Sequence, residues 1–168
     1  MSRCRRPLLP IALALIVAFA LGAFLPGAFG DTKAEPTAVR TALAETDQVQ
    51  GAPDRTMVLS KVVIQPGARL AVHHHLGTQI SRVSAGTLSY TVERGSAVLR
   101  EGESGGDERF VRKIAAGQTA RIHPGQWLVE QPSDIHRAAN HGSTPVVVYL
   151  ATLLETGAPP STPVVLPR

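Results

Sequence analysis

From Arg55 to Glu155 the chain repeats one texture. Short runs rich in Val, Ile, Leu and Thr alternate with Gly and Pro punctuation: TMVLSKVVIQ, ARLAVHHH, TQISRVSA, TLSYTVER, SAVLRE, RFVRKIAA, QTARIH, QWLVEQ and TPVVVYLATLLE, parted by PG, LG, single glycines, GESGGDE and PSD. Short strands at near-regular spacing with turn residues between them predict an all-β sandwich or barrel. No sustained helical period runs through this region. Before it, residues 31–54 are polar, with scattered Ala, Thr and Asp. They read as a linker or arm along the barrel edge, with a weakly striped Thr37 to Leu43 as a short-helix alternative. After Thr156 the tail GAPPSTPVVLPR carries four prolines. It is excluded as a central strand and is expected as an extended edge or a loose end. The organisation read from the pattern is therefore a leader over 1–30, an arm over 31–54, a barrel over 55–156 and a Pro-rich tail over 157–168.

The leader changes the charge picture. Arg3, Arg5 and Arg6 precede the apolar run LLPIALALIVAFALGAFL, and Ala28-Phe29-Gly30 closes it with small residues before the chain turns polar at Asp31. That order is the order of a secretory signal peptide, which places the mature protein in the periplasm or outside the cell. The alternative is an uncleaved anchor, since spanning a bilayer takes roughly 20 apolar residues; membrane association is expected only in that case. Cleavage would remove three of the 17 Lys and Arg and none of the 13 Asp and Glu, leaving a net charge of +1. Nothing then favours nucleic acid as a partner. The only cysteine, Cys4, leaves with the signal. A metal in the mature chain would need His, carboxylate or amide ligands. The 138 residues after Gly30 suffice for one core and are too few for two ordinary domains.

Candidate chemistry centres on GARLAVHHHLGTQ, residues 67–79. The histidine run is internal, so it is no terminal tag. Side chains alternate faces along a strand, which puts His73 and His75 on one face and His74 on the other. Two imidazoles at i and i+2 can share one ion. Gln79 lies just past the Leu76-Gly77 turn, and His136, in the segment PSDIHRAAN, is the best further donor. Two partly buried histidines with ordinary hydrogen-bond partners are the plainer explanation; two on one face, with Gln79 and His136 in reserve, favour a metal site.

The spacing Gly67-x5-His73-x-His75-x3-Gln79-x6-Gly86 resembles the first motif of the cupin superfamily at every position but one, Gln79 standing where Glu is usual. The second motif is looser. Gly125, His136 and Asn140 keep the family spacing, but Pro132 comes one residue late and Ser133 stands where Gly is usual. The resemblance spans about residues 55–155. It implies a single double-stranded β-helix barrel, a cupin jelly roll, with one divalent transition metal (Zn, Fe, Mn or Ni) held by His73, His75, Gln79 and His136, and a homodimer. With Gln79 that ligand set is neutral, which favours Lewis-acid polarisation of an oxygen over oxygen redox chemistry. Family chemistry ranges from dioxygenases to isomerases, lyases and non-catalytic binders, so the fold does not settle the activity.

Among the other residues, Arg69 shares a face with Ala71 and His73, and either projects toward the barrel to hold an anionic ligand or lies at a solvated barrel mouth. Ser81 and Val83 share a face with Gln79 and should line the cavity. His74, His123 and His141 are expected outside it, Tyr90 and Trp127 in the core, and Glu93 and Glu130 as solvated carboxylates rather than general bases. Neither the P-loop nor the dinucleotide-binding glycine pattern occurs. No catalytic residue is assigned. The expectation is an exported barrel that binds one metal and binds or transforms a small polar or anionic molecule. Its rivals are a non-catalytic ligand- or metal-binding module and a metal-free structural barrel.

Overall fold

The computed structural model describes residues 36–167; the expected signal segment lies outside them. The described chain is all β, and no helix in it is long and apolar enough to cross a membrane. Its strands are β1 (Ala38–Thr46), β2 (Arg55–Ile64), β3 (Arg69–His74), β4 (Gly77–Ala85), β5 (Leu88–Arg94), β6 (Ser96–Glu101), β7 (Arg109–Ala115), β8 (Thr119–Ile122), β9 (Gln126–Glu130), β10 (Ile135–Ala139), β11 (Val146–Glu155) and β12 (Thr162–Pro163). They form two sheets, in the orders β1-β2-β11-β4-β9-β6-β7 and β12-β3-β10-β5-β8, with every pairing antiparallel.

Period-two burial shows which face of each strand packs inward. In β11 the pattern alternates strictly, with Val146, Val148, Leu150, Thr152 and Leu154 inward. Val83 and Leu128 of the larger sheet meet Leu88 and Ile122 of the smaller one in the core. Turn glycines close the strands. Gly86 adopts φ 72°, and a Cβ there would sit 2.7 Å from the Pro145 carbonyl oxygen, so only glycine fits between β4 and the start of β11.

Two edge segments refine the sequence expectation. Residues 38–46 are neither helix nor free arm: β1 pairs with β2 from Met57 to Ile64, with a bulge between Ala42 and Ala44. Unpaired backbone on the β2 edge outweighs the weak helical stripe. At the other end, Thr162 and Pro163 pair with His74 and His73. The tail therefore forms the edge of the smaller sheet, where a proline is tolerated.

A second bulge matters more. His136 pairs with His73, but Ala138 pairs with Leu70, so β3 spends one residue more than β10 between the two pairs. An extra residue reverses the inward–outward alternation beyond it. Leu70, not Arg69, therefore joins His73 on the inner face.

Candidate metal centre

Two cross-strand pairs meet inside the barrel. His73 on β3 stands opposite His136 on β10 in the smaller sheet. Gln79 on β4 stands opposite Glu130 on β9 in the larger one. His75 lies in the corner between β3 and β4. All five are buried, with exposures of 9% for His73, 1% for His75, 3% for Gln79, 4% for Glu130 and 3% for His136.

The three histidines form a buried triad able to hold a metal ion. One ligand atom from each lies within 4.8 Å of the others, and their ring centroids are 4.4–5.2 Å apart. Nδ1 of His73 sits 2.7 Å from the Ala71 carbonyl oxygen, and Nδ1 of His75 sits 2.7 Å from that of Pro160. A carbonyl only accepts, so each Nδ1 carries the proton and each Nε2 keeps its lone pair. Metal-ligating histidines are oriented in this way. The tail thus supplies a backbone group to the site.

The Glu130 carboxylate presses on the triad, with Oε2 3.4 Å from His75 Nε2 and Oε1 3.5 Å from His136 Nε2. Two acceptors facing each other in a buried space repel unless a proton or a metal ion sits between them. The donor set fits a divalent ion: two imidazoles in the ligating tautomer, a third beside them, and an anion in reach. Gln79 Oε1, Tyr90 Oη and His136 Nδ1 are buried without a hydrogen-bond partner, a concentration of orphaned polar atoms that ordinary cores avoid. Burial pushes His73 below the usual imidazole range and takes His136 down to about 4, against the attraction of Glu130. Burial alone would raise Glu130; attraction to His136 and His75 and the hydrogen bond from Gln79 outweigh it and bring it to about 2. Burial, reinforced by Glu130, drives the Tyr90 phenol far above its usual range. Tyr90 stacks on His136 at 5.1 Å.

Around this polar cluster lies a cavity of about 50 Å³ with largely apolar walls, including Val83, Leu88, Ile122, Leu128 and Leu150. Ser81 is on the wall, as alternation along β4 predicts, and accepts a 3.3 Å hydrogen bond from Gln79 Nε2. Arg69 is not on the wall. The β3 bulge turns it to solvent, where it borders a shallow groove on the outer surface. Arg40, from the segment read as an arm, lines the cavity instead. Burial lowers its guanidinium below the usual range, and Glu130 opposes the shift.

His74 is half-buried on the opposite face, and His123 and His141 are exposed. Glu93 pairs with Arg137 at 2.5 Å. Trp127 lies outside the inner core, its indole N–H donating to the Gly102 carbonyl at 3.2 Å. Glu130 and Arg40 are the two charged residues of the cavity wall that the sequence reading left out of the site. Glu130 had a local signal: it shares a face with the core residue Leu128 at i+2. Arg40 had none, because its place depends on β1 pairing with β2.

No family model and no curated protein matches the sequence. Solved structures do match in shape. The chain is similar to a cupin 2 domain-containing protein from Halorhodospira halophila, at 14% identity and TM-score 0.50, over 81% of this chain and 76% of that one. It is similar to the L-ribose isomerase of Acinetobacter sp. DL28, solved with L-ribose, at 15% identity and TM-score 0.51, over 70% of this chain and 59% of that one. It is also similar to the DMSP lyase DddQ of Ruegeria pomeroyi, at 14% identity and TM-score 0.50, over 75% of this chain and 51% of that one. Each likeness is one of fold.

Proposed function

Since the chain is a barrel of the cupin fold, we propose that it is an exported single-domain cupin that holds one divalent transition metal and binds or transforms a small anionic molecule beside it. His73, His75 and His136 are the imidazole ligands, and the Gln79–Glu130 pair faces them. The tautomers carry this reading: two backbone carbonyls take the Nδ1 protons of His73 and His75 and leave two Nε2 lone pairs in one buried space.

When bound, a divalent ion supplies Lewis-acid polarisation of a ligand oxygen. The protein's own residues do the rest. The apolar walls exclude bulk water and strengthen every charge interaction inside. Arg40 lines the same cavity, and a guanidinium suits a carboxylate or similar oxyanion. The cavity is small, with room for about four waters at ~10–15 Å³ each, which points to a ligand of few atoms or to one end of a longer one.

A second reading, a binding module without turnover, is favoured by one observation. Among the described residues Glu130 is the only carboxylate on the cavity wall; Gln79 donates to it, and His75 and His136 stand beside it. No second carboxylate among the described residues is there to act as a general base.

Export rests on the arginine–apolar–small-residue order of residues 1–30, and places the protein in the periplasm or outside the cell. A homodimer is supported by the outer face of the larger sheet. Ala44, Leu59, Ala151, Ile80, Val129 and Val98 lie opposite one another across six strands, an unbroken apolar row of the kind that marks interaction surfaces.

Elemental analysis by mass spectrometry tests the metal. The untagged full-length chain, purified without added metal and without a nickel column, should carry near one equivalent of a single transition metal, and His75→Ala should lose it. No metal, with none regained on titration, would leave a metal-free barrel.

A further inference from the structure

We infer that Glu130 is the anionic ligand of the metal site and that Gln79 is a positioning residue that holds it. The inference deepens the metal reading above and rests on it. It replaces Gln79, which the sequence resemblance placed in the ligand set, with Glu130, which was read from the sequence as a solvated carboxylate.

Three observations support it. The first is register. Gln79 and Glu130 are directly opposed across the β4–β9 ladder, and opposed side chains have Cβ atoms about 4.5–5.5 Å apart. A carboxylate on β9 therefore reaches nearly the same point as one on β4. The usual glutamate of the resembled motif has moved one strand over, and the site keeps its negative charge.

The second is the orientation of the amide. Gln79 Nε2 donates to Glu130 Oε2 and to Ser81 Oγ. The opposite orientation would set the amide oxygen against a carboxylate oxygen, two acceptors in a dry space. Glu130 therefore dictates that the NH₂ group points its way. That same Nε2 is the Gln79 atom 3.3 Å from His75 Nε2. The amide thus turns toward the triad the one end that cannot bind a cation.

The third is distance. The carboxylate oxygens lie 3.4 and 3.5 Å from the Nε2 atoms of His75 and His136. Those separations are long for N–H···O hydrogen bonds, which run about 2.7–3.2 Å. Each nitrogen faces a different oxygen of the one carboxylate, so Glu130 stands beside two imidazole nitrogens at once without an N–H···O bond to either, where an anionic donor would complete the set. The ligand set then carries one negative charge, not zero, and a divalent ion in it keeps a net charge of +1.

Zinc affinity of the full-length chain, read by competition with a chromophoric chelator, tests the assignment. Glu130→Gln should weaken binding by more than about 100-fold, and Gln79→Ala by about tenfold, the size of losses from removing a partner that orients a ligand. Gln79→Ala weakening binding as much as Glu130→Gln, or more, would overturn the assignment. His75→Ala binding zinc as tightly as the unmodified chain would instead remove the metal reading itself. If Glu130→Gln fails to fold, the crystal structure of the zinc-loaded, unmodified chain decides. A Glu130 oxygen about 2.0–2.2 Å from the ion upholds the assignment. Gln79 Oε1 at that distance, with Glu130 outside it, overturns it.

Discussion

Asn140 directly follows β10, the strand that carries His136, and it is 1% exposed. Its amide nitrogen donates to the carbonyls of Ile64 and Thr144 at 2.9 Å each, and its amide oxygen accepts from the Gly142 N–H at 2.9 Å. One side chain thus ties β10 to the end of β2 and to the turn that leads into β11. Asn140→Ala removes all three bonds. Gly142 and Thr144 are exposed, so water replaces two of them, at a net loss of about 1 kcal/mol each. Ile64 is 2% exposed and its carbonyl keeps its place in the β2–β11 ladder, so it loses a second donor that water cannot replace, at about 1 kcal/mol. The expected destabilisation is about 3 kcal/mol, read as the change in unfolding free energy from urea titration followed by far-ultraviolet circular dichroism. Asn140→Asp separates hydrogen bonding from shape. It keeps the volume but sets a carboxylate against two carbonyl oxygens, so it should cost at least as much as alanine. A loss below about 1 kcal/mol for alanine, or near-native stability for aspartate, would refute the hydrogen-bond account.

The buried histidines make the metal-free chain acid-sensitive. His136 falls to about 4 in the fold from a reference of 6.5, so below pH 6.5 the unfolded chain takes up a proton that the folded one refuses. Stability is full above pH 6.5 and should fall by about 2 kcal/mol between pH 7 and pH 5, at about 1.4 kcal/mol per unit; the same loss in His136→Asn, measured by urea unfolding with a chelator present, would exclude this cause. The Glu130 contribution belongs to a lower window, being present above about 4.5 and lost toward about 2. Arg40→Gln should weaken small-carboxylate binding to the metal-loaded chain by about tenfold or more, as expected for a charge-assisted hydrogen bond worth about 1.5–3 kcal/mol, while Arg69→Ala leaves it unchanged; calorimetric titration giving the reverse order would return the anion role to Arg69. Gly77→Ala would place a Cβ 2.0 Å from the Leu153 carbonyl oxygen and 2.7 Å from the Leu154 Cα; backbone on β11 cannot yield that far, so the variant should lose several kcal/mol or fail to fold, and a native-like urea midpoint would show that β11 shifts.

Much of this protein was decided locally. Alternating apolar runs and glycine or proline turns specify a sheet protein without reference to anything distant, because strand parity and turn preference depend on near neighbours. By the same local rule Gln79, Ser81 and Val83 share the inner face of β4. What lies between strands was not legible. One extra residue in β3 relative to β10 exchanges Arg69 for Leu70 on the cavity wall, and no property of RLAVHH announces it. The opposition of Gln79 and Glu130 depends on how β4 and β9 align between residues 51 positions apart in the chain. Arg40 reaches the cavity only because β1 covers the free edge of β2. Sequence alone determined that this chain is a barrel with imidazoles inside. Tertiary structure decided which charges stand beside them, because register between strands is set by bulges, turns and edge pairing that act over the whole fold.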